Sequence, residues 1–351
     1  MGTGAIGGTI AGGLLGAGRE VVALSSNEGI AAAVRAHGFR RRFQDAHDTA
    51  RGPIVTQPSE LTGTFDWILL ATPPDSVVEA AQGVAAHLAP GGAFVVMQNG
   101  LCEDRVAAAV DRDDAVLGAI VGFGASMPEP GLFERTSEGG FTLGRMDGGT
   151  EDPRLARLEA LLAPVAPVEH ATNFPGARWS KLAINCAIST LGTLAGARLG
   201  RVLRHQLARR LALEIMTEAV AVAHAEEVAL EKVSGTLDLD WIALDPHERQ
   251  RGSMTLVAKH TLLLAVGARY RNLRSSMLAA LERGRTPPVD FINGEIATRG
   301  QALGIEVPVN TVASAMVHEL ARGESKPDFA RIEELARRTE RRHSSRPPLR
   351  A

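Results

Sequence analysis

Met1-Gly2-Thr3-Gly4-Ala5-Ile6-Gly7-Gly8 runs straight into Thr9-Ile10-Ala11-Gly12-Gly13-Leu14-Leu15. The pattern G-x-G-x-x-G opening an apolar helix is a dinucleotide-binding fingerprint. Gly2 permits the tight turn, Gly4 lets the backbone approach a pyrophosphate, and Gly7 lets the helix pack closely on a sheet. The helix N-terminus, with its unsatisfied N–H groups, then holds the anion. Gly18 is the helix stop, and Val21-Val22-Ala23-Leu24 reads as a buried strand, giving loop, helix and second strand of a nucleotide-binding unit. The strand that normally precedes such a loop is missing, so either the true start lies upstream of Met1 or the fold is compromised.

Alternation continues beyond this unit. The residues predict a helix from about Glu28 to Ala36, a strand over 66–71, a helix from about Asp75 to Leu88 and a strand over 93–97. A helix over 103–110 and a strand over 115–120 follow. Buried strands alternating with helices predict an α/β domain with a doubly wound parallel sheet, here with its first strand missing or truncated. Residues 127–149 turn Gly- and Pro-rich with short alternating runs such as Gly140-Phe141-Thr142-Leu143-Gly144, a hairpin or edge strands. Pro153 to Leu162 is the last helix of the domain. From Pro175 the apolar periodicity is helical throughout, over 177–196, 201–228, 251–282, 289–303 and 309–321. The expected organisation is a dinucleotide-binding domain over 1–170, an all-helical substrate or dimerisation domain over 171–325, and a basic, disordered tail over 326–351. A polar, Asp-rich connection occupies 235–247.

Composition narrows the function. Hydrophobic residues at 45% suffice to fill real cores, and a net charge of −2 gives no electrostatic reason to expect nucleic acid or an anionic membrane. No apolar run reaches the roughly 18 residues of a membrane span, and no secretion-signal layout is present. Cys102 and Cys186 stand far apart without ligand spacing, which fits neither a disulfide framework nor a zinc site and points to a reducing, cytoplasmic setting. His224 and Glu227 share a helix turn but lack further ligands, so no metal is expected. Glu218, one carboxylate on a long helix, reads as surface. The long apolar helices of the second half are compatible with a homodimer.

Basic residues are overwhelmingly Arg, with Lys only at 181, 232, 259 and 326. Where Arg is the default cation, a mid-helix Lys can be kept for giving up a proton, which Arg does not do. Lys181, Asn185 and Ser189 fall in one row at i, i+4, i+8, beside apolar Leu182, Ile184 and Ile188. Gln98-Asn99-Gly100 falls at the C-terminal end of a buried strand, where open parallel sheets place ligands. An ammonium at 181 can protonate an oxygen as hydride reaches its carbon, with Asn99 and Asn185 holding polar groups in place. A solvated helix stripe is the plain alternative.

Taken in order, Gly2-Thr-Gly-Ala-Ile-Gly-Gly, Gln98-Asn99-Gly100-Leu101, Trp179-x-Lys181-Leu-x-x-Asn185, Ser275-Ser276-Met277-Leu278, Asp290-Phe-Ile-Asn293-Gly294 and Gly304-Ile-x-Val307-Pro-x-Asn310 resemble the ketopantoate reductase (2-dehydropantoate 2-reductase) family. The resemblance spans about residues 2–322. It implies an NADPH-dependent oxidoreductase that reduces a 2-oxo acid to the 2-hydroxy acid, ketopantoate to pantoate being the leading specific case, in a cleft between two domains. It further implies Lys181 as proton donor, Asn99 and Asn185 orienting substrate and nicotinamide, and Ser276 on the substrate carboxylate, with Ser189 and Asn272 completing the substrate set. The cofactor set is Gly2, Gly4, Ala5, Ile6, Gly7, Ser25, Ser26, Asn27, Ala71, Thr72 and Asn99.

Four positions depart from the family pattern. Pro288 stands where a Glu is usual before Asp-Phe-Ile-Asn-Gly. Leu273 stands where an Asn precedes the Ser-Ser pair, with Asn272 displaced by one residue, about 100° around a helix. Ser189 replaces a second Asn, and Ala71-Thr72-Pro73-Pro74 carries no Lys. Fewer polar anchors open the site to a more apolar or bulkier oxo compound. After the second strand come Ser25, Ser26 and Asn27, with no carboxylate to repel a 2′-phosphate, which favours NADP over NAD, although the family's usual Arg is absent at Asn27. A protein of another class, binding or sensing NADP(H) without catalysis, is the competing expectation.

Overall fold

The computed structural model describes residues 1–232, 237–250 and 253–344, side chains from 341 onward excepted. It divides into two compact units, Met1–Pro175 and Gly176–Ala351.

In the first unit the elements follow in the order α1 (Ala5–Gly16), β1 (Ala23–Leu24), α2 (Glu28–His37), β2 (Phe39–Phe43), β3 (Ala46–Ala50), β4 (Ile54–Val55) and β5 (Phe65–Leu70). Then come α3 (Val77–Val84), β6 (Leu88–Val96), α4 (Glu103–Val110), β7 (Val116–Val121), β8 (Ala125–Glu129), β9 (Leu132–Arg135), β10 (Phe141–Gly144), α5 (Pro153–Leu162) and β11 (Val168–His170). Strands β5, β6 and β7 are parallel neighbours, with Leu70 opposite Val96 and Val96 opposite Gly118. Strand β10 adds antiparallel to β7, and β11 adds parallel to β10. Strands β1 and β4 form a separate parallel pair.

The first residues of the chain bridge β1 and β5. The Met1 ammonium donates to the Leu69 carbonyl at 2.6 Å and the Ala71 N–H donates to the Met1 carbonyl at 2.8 Å, while the Gly2 N–H and Thr3 hydroxyl both donate to the Leu24 carbonyl. Met1 and Gly2 thus join the two sheets at their C-terminal ends, where a central strand would end. Burial pushes the Met1 ammonium down to about 6. The strand expected over 21–24 shrinks to Ala23–Leu24, with Val21 and Val22 half-buried, because this edge pairs on one side only.

A further, four-stranded sheet, β3-β2-β9-β8, was legible in part: β8 and β9 form an antiparallel hairpin in the stretch expected to hold a hairpin or edge strands, whereas β2 and β3 were not foreseen. Its strands are short and charged, and Phe39-Arg-Arg-Arg-Phe43 carries no apolar run. Arg40, Arg41 and Arg42 pair with Glu129, Asp48 and Glu134. Such half-exposed pairs contribute little, so the sheet is held by Phe39 and Phe133, both fully buried and stacked 6.0 Å apart beside α1. At Gly8 a β-carbon would meet the Phe133 ring at 2.0 Å, so the small face of α1 is what lets this sheet close over it. The opposite face of α1, Ile10 and Leu14, packs with Val95, Leu117, Phe141 and Leu158 in the main core. Enclosure from both sides explains a helix apolar all round.

The second unit is helical: α6 (Phe174–Ala195, starting two residues before the division), α7 (Leu199–Arg204), α8 (Gln206–Ala225), α9 (Leu239–Ile242), α10 (Pro246–Gln250), α11 (Met254–Arg269), α12 (Ser276–Glu282), α13 (Asn293–Ala302), α14 (Pro308–Ala321) and α15 (Ala330–Ser344). The connection expected over 235–247 is partly helical, as α9 and the start of α10, while 235 and 236 lie outside the described residues. The disordered tail expected over 326–351 needs correction as far as residue 344. Ile332 and Leu335 of α15 are fully buried and Arg338 bridges Glu319 and Glu334, so an amphipathic turn hidden by its charge anchors this helix. Residues 345–351 lie outside the described residues.

Of the four lysines, Lys259 is spent on structure. Its side chain is 4% exposed, its ammonium donates to the Ala243 carbonyl at 2.8 Å and pairs with Glu248, itself 2% exposed. Removing one member of such a pair strands the other charge. Lys259→Ala is expected to cost about 3–5 kcal/mol in urea unfolding, and a loss below about 1 kcal/mol would show that the pair is solvated.

Candidate functional site

In the first unit the candidate residues begin with the loop before α1. Gly2 adopts φ +86°, and a β-carbon there would meet the Thr72 nitrogen at 2.5 Å. At Gly7 a β-carbon would meet the Gly2 carbonyl oxygen at 2.0 Å. Around Gly4, by contrast, a β-carbon would meet nothing within 4 Å. Gly4 is the N-cap residue of α1, with no side-chain cap and no acidic residue in the first turn. Ala5, Ile6 and Gly7 occupy that turn, so N–H groups and the positive end of the helix face open space, which fits a pyrophosphate.

The strand ends bring the other candidate residues of this unit together. Gln98 is buried after β6, and its amide donates to the Leu70 and Thr72 carbonyls at 3.1 and 3.0 Å, tying the 98–100 turn to Ala71 and Thr72. Gly100 takes φ +99°, and Asn99 between them is exposed. The Gln98 tie was not foreseen, although its place next to Asn99 marked it. After β1, Ser25 is buried with its hydroxyl accepting from the Asn27 N–H at 3.3 Å, whereas Ser26 is exposed. The Asn27 carboxamide oxygen accepts the Ile30 N–H at 3.0 Å and caps α2.

In the second unit the candidate residues lie on α6. Lys181, Asn185 and Ser189 are half-exposed with Ile184 and Ile188, while Leu182, Ala183, Cys186 and Ala187 between them are buried. The polar row therefore follows the open face of a helix whose other face is core. Ser275 caps α12 through the Leu278 N–H, and its hydroxyl also donates to the Ser189 carbonyl at 2.8 Å and meets the Thr193 hydroxyl at 2.7 Å. That anchor sets Ser276, exposed at the first position of α12, near the end of the row. Asn272 is not joined to the row: its carboxamide oxygen accepts from Arg198 at 3.4 Å, with Leu273 beside it exposed. Pro288 is half-buried, and the next acid, Asp290, turns to His318 at 2.8 Å.

Behind α6 runs a buried polar network. Glu218 is 4% exposed, contrary to the expected surface position. Its carboxylate accepts the Val309 and Asn310 N–H groups at 2.8 Å each and the Asn310 carboxamide at 2.7 Å, capping α14. Asn310 also donates to the Ile215 carbonyl, and Asn293 donates to the Asn310 carboxamide oxygen at 3.0 Å and to the Cys186 carbonyl at 3.1 Å. The Thr190 hydroxyl donates to Asn293. The signal was present, since Glu218 sits at i+3 from Ile215 and i−4 from Val222, on the buried stripe of α8.

Burial pushes the Glu218 carboxyl up to about 7 from an ordinary 4.5. An acid whose native pKa is raised binds more protons folded than unfolded, so its contribution to stability is greatest below about 4.5 and is lost as pH climbs through about 7. Glu218→Gln is expected to remove that pH dependence. It is also expected to cost about 1–3 kcal/mol in thermal unfolding, because an amide NH2 then faces an N–H donor. An unchanged pH profile of stability would contradict the assignment. Cys102 and Cys186 are buried and share no disulfide, and burial raises the Cys186 thiol far above its ordinary range. His224 pairs with Asp240 at 2.8 Å.

Comparison with known proteins agrees with this architecture. The family model described as ketopantoate reductase PanE/ApbA matches residues 1–148, and that of the ketopantoate reductase C-terminal region matches residues 173–321. A 2-dehydropantoate 2-reductase of Pyrococcus abyssi is 25% identical over 90% of this chain and 95% of its own length, and one of Halobacterium salinarum is 26% identical over 86% and 91%. A PanE/ApbA family ketopantoate reductase from Ralstonia eutropha JMP134 superposes with a TM-score of 0.75 at 27% identity, over 92% of this chain and 97% of that one. D-mandelate dehydrogenase shares the fold, with a TM-score of 0.76 at 17% identity. With both family models matched in order, and with the glycine loop and the Lys181 row built as described, the chain belongs to the ketopantoate reductase family.

Proposed function

We propose that this protein is an NADPH-dependent reductase of a 2-oxo acid, with ketopantoate the leading specific substrate and pantoate its product. The single observation that supports this most is the Lys181–Asn185–Ser189 row on the open face of α6, because a purely cofactor-binding protein has no use for a proton donor there. The backbone N–H groups around Gly4 and the start of α1 hold the pyrophosphate. Ser25 and Ser26 lie where the adenosine ribose is read, and with no carboxylate there a 2′-phosphate meets no repulsion, so NADPH is preferred to NADH.

The bound nicotinamide supplies hydride to the substrate carbonyl carbon. Lys181 holds the carbonyl oxygen by a charge-assisted hydrogen bond and delivers its proton as negative charge develops there. Asn185 and Asn99 fix the oxo acid and the carboxamide of the nicotinamide, and Ser276 donates to the substrate carboxylate. The Asn272 carboxamide oxygen accepts from Arg198, and its NH2 is the group it would offer the substrate. With Leu273 and Pro288 in place of polar anchors, the far end of the substrate is read mainly by shape, and bulkier 2-oxo acids are accepted beside ketopantoate, each lost polar partner relaxing discrimination by about 1–3 kcal/mol. The test is NADPH consumption with ketopantoate and a panel of branched and aromatic 2-oxo acids. Binding of NADPH without turnover of any of them would favour a sensing protein instead.

A further inference from the structure

We propose that Asn293 is a positioning residue for the reaction, the last member of a relay Glu218–Asn310–Asn293 that fixes the register of α6 and so places the Lys181 ammonium. The inference rests on Lys181 being the proton donor.

The relay is directional at every step. Glu218, acceptor-only when ionised, is gripped by two successive N–H groups at the start of α14, and it takes one hydrogen of the Asn310 carboxamide. The Ile215 carbonyl accepts from the same nitrogen, so the Asn310 carboxamide oxygen must point the other way, at Asn293. That oxygen in turn selects the nitrogen side of the Asn293 carboxamide, whose second hydrogen reaches the Cys186 carbonyl and whose oxygen accepts from Thr190. Asn293 thereby holds positions i and i+4 of α6, one turn of the rear face, and both Asn293 and Asn310 are wholly excluded from solvent.

The grip is adjacent to the reacting face. Cys186 follows Asn185 directly and Thr190 follows Ser189, so the two clamped residues alternate with two members of the polar row. A slip of α6 by one residue would translate the row by about 1.5 Å and rotate it by about 100°, and hydrophobic contacts alone, from Leu182, Ala183, Ala187 and Leu191, do not forbid smaller shifts as a set of fixed hydrogen bonds does. Ser275 anchors the same helix at Ser189 and Thr193, but from the α12 side. Asn293 supplies the constraint from α13, on the part of the helix nearer Lys181.

Two variants test this. Asn293→Asp keeps the shape but turns an oxygen toward the Cys186 carbonyl and Asn310, and Thr190→Val removes one bond at constant volume and keeps the helix intact. Both are assayed as full-length protein for kcat, KM for NADPH and the 2-oxo acid, the pH profile of kcat and thermal unfolding. For Asn293→Asp the expected result is a fall in kcat of about 10- to 100-fold per folded molecule, with KM for NADPH within about twofold and a displaced pH limb. Thr190→Val is expected to show a smaller fall, about threefold to tenfold, in the same parameter. Lower melting temperatures with kcat per folded molecule and the pH limb unchanged in Thr190→Val, and in Asn293→Asp if it folds, would overturn the relay while leaving Lys181 as proton donor. Absence of turnover in the unaltered protein with every 2-oxo acid would instead overturn the reading on which the relay rests.

Discussion

On the proposed reading, Lys181→Ala is expected to lower kcat for reduction of the 2-oxo acid by about 100- to 10,000-fold, the range for loss of a positioned general acid. Lys181 lies on the half-exposed face of α6 between buried Ser180 and Leu182, so truncating it opens no core cavity. NADPH affinity, built on the Gly4 loop, should stay within about twofold. Lys181→Arg separates charge from proton transfer, because a guanidinium keeps the positive charge but does not give up a proton at neutral pH. It is expected to retain substrate binding without restoring kcat. Steady-state kinetics with separate titration of NADPH fluorescence checks both, and turnover of Lys181→Ala within about threefold of the parent would remove Lys181 from the chemistry.

Gly7→Ala acts on the glycine loop of the first unit. The added β-carbon falls 2.0 Å from the Gly2 carbonyl oxygen, a backbone atom that cannot swing aside as a side-chain tip can. The Gly2 N–H is bonded to the Leu24 carbonyl and its φ is +86°, so shifting Gly2 disturbs both the turn and the Met1–Thr3 segment joining β1 to β5. NADPH affinity is expected to fall by at least about 100-fold, or roughly 3 kcal/mol, since the N–H groups at the start of α1 no longer converge on one anion. Gly4→Ala is the internal control for space: with nothing within 4 Å, the β-carbon meets only what binds there. It should fold with unchanged stability and lose affinity only by contact with the cofactor. Equal affinity in Gly7→Ala and the parent, by fluorescence titration, would contradict the loop's assignment.

The doubly wound half was legible because its strands are buried apolar runs and its motifs sit at their ends. Ala93–Met97 announced both a central strand and the position of Asn99, and Glu103–Val110 matches the helix expected there. The β2–β3 half of the four-stranded sheet was hidden because Phe39–Phe43 buries Phe39 alone and carries arginines paired with acids on neighbouring strands, Glu134 on β9 being remote in sequence. In the helical half, spacing alone put Lys181, Asn185 and Ser189 on one face. Spacing could not show what Asn293 and Asn310 do, because their partners on α6 and α8 are about a hundred residues away.

The most direct measurement is the rate of NADPH oxidation by the purified protein with ketopantoate, run beside branched and aromatic 2-oxo acids and repeated with NADH. Turnover of one or more 2-oxo acids, faster with NADPH than with NADH and abolished by Lys181→Ala, is the expected result. NADPH binding with no oxidation by any 2-oxo acid would contradict the reductase assignment and leave a protein that binds the cofactor without using it.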